Sequence, residues 1–323
     1  MMRRISHFFI SFCVLCAVFC SLEAKAQESQ TVYNFLRIPE SAHAAALGGE
    51  NISIIEDDAS LALSNPALLN SVSSRTVTLG YMNYMSGVGM YTAGYTHIIN
   101  DKATVGGTIH YLNYGTLKEY SANDQEMGTF NPSDITFEAL LGYTLTKRLA
   151  GGIGAKFIYS KMGYYKSTAA AVDLGLNYYD PNLDLSLSLA VKNLGGQLSA
   201  YNDDYESLPI DVLLGASYRI QNSPLRVSLT FSDLNHWDYA FLRHACIGVD
   251  LILIPQFYIA AGYNARRAYY MKTTNLTDNT ESAHGAGWNV GAGLLLERFK
   301  LNFSYGKYHV NSSSLMFNLA FNF

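Results

Sequence analysis

Eight histidines, four cysteines and 26 acidic residues are available for chemistry, and their spacing signals little of it. There is no His-Glu-x-x-His pattern and no pair of Cys-x-x-Cys motifs, so neither a metal nor a cofactor is indicated. His244, Cys246 and Asp250 fall on one face of an alternating segment. A Cys-His nucleophile pair can be drawn there, although alternate strand residues also simply line a lumen. Gly151-Gly152-Ile153-Gly154 opens a strand-like segment rather than a helix, so it lacks the context of a phosphate loop. Its small residues fit better as relief of crowding. His236-Trp237-Asp238-Tyr239 lies between two strand-like segments. It reads either as a hydrolytic group or as an aromatic contact patch. The patch fits better, because Trp and Tyr dominate binding hot spots.

A second set of charges recurs mid-segment: Glu138, Lys156, Asp173, Lys192, Asp211, Arg226 and Asp250. They suggest a selectivity filter or proton path, or a lumen network in which opposite charges on neighbouring strands pair. The paired network is the better reading, since buried charges need partners.

The elements that must position these residues are strands. Of 323 residues 49% are hydrophobic and only 15% charged, with 24 Tyr and 16 Phe. After residue 22 no apolar run approaches the roughly 18 residues of a spanning helix. Instead Leu183, Leu185, Leu187, Leu189 and Val191 alternate with Asp184, Ser186, Ser188, Ala190 and Lys192. Period two places these sets on opposite faces of a strand. The same pattern predicts fourteen strands over 74–86, 89–99, 103–118, 133–146, 149–163, 167–179, 183–194, 207–220, 225–233, 244–254, 256–267, 286–297, 299–309 and 314–323. Short connections alternate with longer ones at 119–132, 195–206, 234–243 and 268–285, as in outer-membrane barrels. Paired aromatics at strand ends, such as Tyr164-Tyr165 and Tyr178-Tyr179, suit an interfacial girdle. The last strand ends on Phe323, like the terminal signal read by outer-membrane assembly machinery. The expected fold is an all-β, fourteen-stranded antiparallel transmembrane β-barrel.

Residues 1–26 read as a cleaved signal peptide, with Arg3-Arg4, an apolar core and Ala24-Lys25-Ala26 before Gln27. Cleavage would remove three basic residues and one acidic residue and take the net charge from −4 to −6. That argues against nucleic acid as a partner. Only Cys246 would remain, which precludes an intrachain disulfide.

Residues 27–73 differ from the barrel region, 74–323. Ser41 to Gly49 starts like a helix N-cap and stops at glycine, and 57–70 reads as two helical turns broken at Asn65-Pro66. Both are apolar enough to need cover, which predicts a short helical plug at the periplasmic mouth. The run Tyr33-Asn34-Phe35-Leu36-Arg37-Ile38-Pro39, followed by Ser41 to Gly49 with Ala45, Gly48 and Gly49, and then Asp57-Asp58-Ala59-Ser60-Leu61-Ala62-Leu63-Ser64-Asn65-Pro66-Ala67-Leu68-Leu69, resembles the start of mature PorQ proteins. These belong to the type IX secretion system of Bacteroidota. The related PorV family carries Trp where this chain has Ser64, so PorQ fits better. The motif match covers roughly 40 residues. The resemblance implies a fold like the long-chain fatty-acid transporters, a fourteen-stranded barrel with N-terminal plug elements. It also implies a non-enzymatic outer-membrane role, anchoring the surface protein PorZ alongside PorU and PorV in an attachment complex that joins cargo to lipopolysaccharide. Outer-membrane lipid would surround it.

Three functions stand against one another: an anchor, a channel for hydrophobic molecules such as long-chain fatty acids, and a hydrolase. The channel needs a continuous apolar path, while the inward faces are rich in Gly, Ser, Asn and charge. The hydrolase needs a nucleophile–base pair that is not signalled. For the anchor, the long loops should face the partner, with Tyr201, Tyr205, Trp237 and Tyr239 as contact candidates.

Overall fold

The computed structural model describes residues 31–323 apart from 86, 122, 238, 239, 275–280, 310 and 311. The signal-peptide reading of 1–26 lies outside the described residues.

Fourteen antiparallel strands form one closed barrel: β1 (Thr76–Asn83), β2 (Gly89–Asn100), β3 (Ala103–Asn113), β4 (Ser133–Thr146), β5 (Leu149–Met162), β6 (Tyr165–Asp180), β7 (Leu185–Ser199), β8 (Asp211–Arg219), β9 (Leu225–Phe231), β10 (Ala245–Ile254), β11 (Phe257–Asn264), β12 (Trp288–Leu295), β13 (Phe299–His309) and β14 (Ser312–Asn322). Each pairs with its neighbours in sequence, and β14 closes on β1 with Phe321 opposite Val77 and Phe317 opposite Tyr81. Closure leaves no edge, as hydrocarbon demands of any sheet that crosses it. Along β1 the inward Thr76, Thr78 and Met82 are buried, while Leu79 and Tyr81 are 50% and 40% exposed. The same inversion, greasy outside and polar inside, repeats at Phe137, Ile153, Leu189, Phe303 and Phe317. It identifies the outer wall as a lipid-facing surface.

Short turns gather at one end, where β1 begins and β14 ends. The long connections gather at the other, the loop end. Two expectations about this region need correction. The 195–206 connection is shorter than predicted, because β7 continues to Ser199. The ladder slips between Val172 and Leu174, and Asn193 adopts φ 59°. That irregularity interrupts the alternation on which the boundary was drawn. The 119–132 connection is not free loop either, since Leu117–Tyr120 pairs with Glu126–Phe130 in a separate hairpin.

The plug also reaches further than the short-turn mouth. Val32 donates to the Ser207 carbonyl at 3.0 Å, in the connection between β7 and β8 at the loop end. Val32, Tyr33 and Leu36 pack there against Ile158, Ala169 and Leu208. The chain then descends the lumen, until Asp57 pairs with Lys300 and Asn70 meets Thr144 near the short turns. Sequence apolarity showed that the segment needs cover but carried no information on its depth.

Candidate functional site

The plug is built from short, capped elements. Ser41 Oγ accepts from the Ala44 N–H at 3.3 Å and starts the helix Ala42–Ala46. Asp58 caps Ala59–Ala62 by accepting from Ser60 N–H at 2.9 Å. Asn65 Oδ1 accepts from Ala67 N–H at 3.0 Å, opening the 3₁₀ turn Pro66–Ser71, while its Nδ2 donates to the Ile52 carbonyl at 2.9 Å. Side-chain caps of this kind satisfy helix N–H groups that otherwise lack partners.

Small residues let plug and wall backbones touch. A Cβ on Gly152 of β5 would lie 2.2 Å from the Pro66 carbonyl carbon. Of the Gly151–Gly154 run only Gly152 thus makes room for the Asn65-Pro66 turn, together with Gly175 of β6, where a Cβ would lie 2.0 Å from Asn65 Oδ1. Gly48 and Gly49 take φ of +112° and +103°, a region L side chains avoid. A Cβ on Gly48 would also lie 2.3 Å from Cys246 Sγ. Cys246 donates its thiol proton to the Leu47 carbonyl at 3.3 Å, whereas His244 Nδ1 lies 2.8 Å from the Ser232 carbonyl. Each therefore has a separate structural partner.

Four ionisable side chains close a ring at the plug–wall boundary. His43 Nε2 lies 2.8 Å from Asp250 Oδ1, and its Nδ1 lies 3.1 Å from Glu56 Oε2. Arg226 reaches Glu56 Oε1 at 2.7 Å and Asp250 Oδ2 at 2.8 Å. His43 and Glu56 belong to the plug, while Arg226 and Asp250 sit opposite each other on β9 and β10. The Tyr258 ring stacks on the His43 ring at 4.0 Å. Burial alone would lower the His43 pKa, but the Glu56 and Asp250 charges outweigh it and raise it to about 9. Burial would raise the Glu56 pKa, but Arg226 and His43 bring it down to about 2. With His43 protonated, two cations face two carboxylates and the ring is neutral.

Of the remaining luminal charges, Lys156 and Asp173 follow the pairing logic, whereas Glu138, Lys192 and Asp211 make no ion pair among the described residues. Lys156 Nζ donates to Asp173 Oδ2 at 2.7 Å and to Asn193 Oδ1 at 3.1 Å. Asp211 accepts from the Asp233 N–H at 2.6 Å. Glu138, in register with Lys156, has no hydrogen-bond partner on either carboxylate oxygen.

Other predicted positions divide between lumen and rim. Phe35 meets Tyr33 edge-on, Leu36 is buried, Pro39 lines a luminal cavity of about 30 Å³ and Ala45 packs against Met82 and Met90. Tyr201 does not face outward as a contact candidate would. Its hydroxyl donates to Ser160 Oγ at 2.5 Å and its ring packs beside Tyr33. Tyr205 and Trp237 are exposed, at 66% and 58%. Tyr239 lies outside the described residues. Sequence reading missed His43 and Glu56 as ring members. Their only signal was a histidine and an acid in an otherwise small-residue, apolar segment.

A second luminal cavity, about 340 Å³, opens at the short-turn end beside Glu56, Asp184, Arg219 and Arg226. Clefts lined by Leu79, Tyr81, Phe303 and Phe317 lie on the lipid-facing wall instead.

No protein-family model and no curated protein matches the chain. Solved structures do. The Pseudomonas putida toluene transporter TodX matches at 14% identity with a TM-score of 0.54, over 88% of this chain and 97% of that one. A ΔS2S3 mutant of TodX, described as a monoaromatic hydrocarbon channel, matches at 13% and 0.54, over 88% and 99%. A Pseudomonas aeruginosa FadL homologue matches at 11% and 0.51, over 88% and 97%. The chain therefore has the fold of the FadL-type outer-membrane barrels, as its sequence suggested.

Proposed function

We propose that this chain is an outer-membrane barrel whose lumen is held shut and whose work is done at its rim. On this reading it is a non-enzymatic anchoring component of a type IX secretion attachment complex, retaining a surface protein of the PorZ kind. The carrying observation is the His43–Glu56–Arg226–Asp250 ring, which fastens the plug across the lumen. The resemblance of 33–69 to PorQ proteins supplies the partner. A second reading is a channel for hydrophobic molecules. It is favoured by the fold shared with the toluene transporter, whereas the structural likenesses lend nothing to the anchor. Against the channel, the two luminal cavities described above are bordered by charged residues. A deletion strain separates the two. Loss of surface-attached cargo with normal uptake of toluene and fatty acids supports the anchor. Loss of uptake with normal cargo attachment rejects it in favour of the channel.

A further inference from the structure

Glu40 of the plug, His110 of β3 and Glu138 of β4 converge in the lumen, with one ligating atom of each within 4.8 Å of the others. Glu138 is 4% exposed, and both its oxygens lack a hydrogen-bond partner, as does Oε2 of Glu40. The cation opposite Glu138, Lys156, is taken by Asp173 and Asn193. Lys192 borders the small cavity that Glu40 also lines. Two carboxylates brought together largely out of water, with three of their four oxygens lacking a hydrogen-bond partner, are costly. The histidine is oriented as a ligand would be. Its Nδ1 lies 3.2 Å from Thr92 Oγ1, while Nε2 lies 3.1 Å from Thr108 Oγ1 and 3.6 Å from Glu40 Oε1. A proton on Nδ1, donated to Thr92, leaves the Nε2 lone pair toward the carboxylates. Gly154 keeps the space open, since a Cβ there would lie 2.7 Å from Glu138 Oε1.

We propose that Glu40, His110 and Glu138 bind a divalent first-row transition-metal ion that ties the plug to β3 and β4. One imidazole nitrogen with two carboxylates suits zinc or manganese better than calcium or magnesium, which take oxygen ligands. Thr108 Oγ1 and water are available for the remaining positions. The ligands are separated by 70 and 28 residues, so no short motif announces them.

The test uses the full chain in detergent, stripped with a chelator and dialysed against zinc, manganese or calcium. Metal content and melting temperature are then read. One zinc or manganese per chain, with a raised melting temperature and no comparable response to calcium, is expected. Glu138→Gln and His110→Gln should each weaken binding at least about tenfold, and Thr92→Val should weaken it less. If Glu138→Gln does not assemble, His110→Gln and Glu40→Gln carry the test. Absence of bound zinc or manganese would overturn the site, and Glu138→Gln raising stability would then mean that the carboxylates share a proton. Stoichiometric metal retained by all the variants would place the ion elsewhere and overturn it equally.

Discussion

His43 Nε2 lies 2.8 Å from Asp250 Oδ1, so a plug residue and a wall residue 207 positions apart share one buried charge contact. The histidine's pKa is raised from 6.5 to about 9, which makes the docked plug a proton acceptor. A raised pKa contributes stability that is complete below the unfolded value and lost as pH climbs through the folded one. Glu56 is displaced the other way, from 4.5 to about 2, so its contribution is complete above 4.5 and lost toward 2. The melting temperature should therefore decline as pH rises from 6.5 to 9. The acid limb should be shallower, because burial raises the Asp58 pKa and opposes Glu56 there. His43→Gln should remove most of the alkaline decline. A decline that persists in that variant would assign it to other groups.

Arg226 holds two carboxylates at once, Glu56 and Asp250. Arg226→Met would leave both facing only His43. Breaking a buried pair by removing one partner costs about 3–5 kcal/mol. Urea unfolding of the refolded barrel should show a loss of that size. A loss below about 1 kcal/mol would mean that water reaches the ring and screens it.

Gly152→Ala should undock the Asn65-Pro66 turn without opening the barrel, because the added carbon would meet plug backbone rather than a flexible side chain. Protease should then cut within 33–70 while the heat-modifiable barrel band survives. Gly196→Ala is the control, with no atom within 4 Å of the added carbon. Equal protease resistance in both variants would show that the plug does not press on Gly152.

The barrel was legible because one side-chain period runs through every strand. Leu185, Leu187 and Leu189 on the outer face and Ser186 and Ser188 on the inner one give fold, register and sidedness together. The end of β7 was not legible, because the slip near Asn193 breaks that period. The Asn65-Pro66 turn was visible as turn chemistry, and the wall glycines as small residues, yet nothing local says that Pro66 rests on Gly152. His43, Glu56, Arg226 and Asp250 are distributed along the chain and meet only once the barrel closes. The inward position of Tyr201 has the same origin, since its partner Ser160 lies on another strand.

Trp237 is the clearest remaining candidate for a partner contact. It is 58% exposed at the loop end, and its ring lies parallel to Phe241, with centroids 6.4 Å apart and planes 8° from parallel. Phe241 in turn packs on Phe231, the last residue of β9, at 4.8 Å. The indole is thus carried on a stack that begins in the barrel wall and presents a face to the outside. Aromatic anchors of this kind can cost about 2 kcal/mol or more when truncated in an interface. On the anchor reading, Trp237→Ala should lower recovery of the surface partner from detergent-solubilised membranes by roughly thirtyfold in affinity, the equivalent of that energy. Barrel assembly and melting temperature should stay near wild type, because the exposed half of the ring supports nothing beneath it. If the melting temperature falls and partner recovery does not, the ring only packs its own loop. Contact would then have to come from Tyr205 or from the hairpin 117–130.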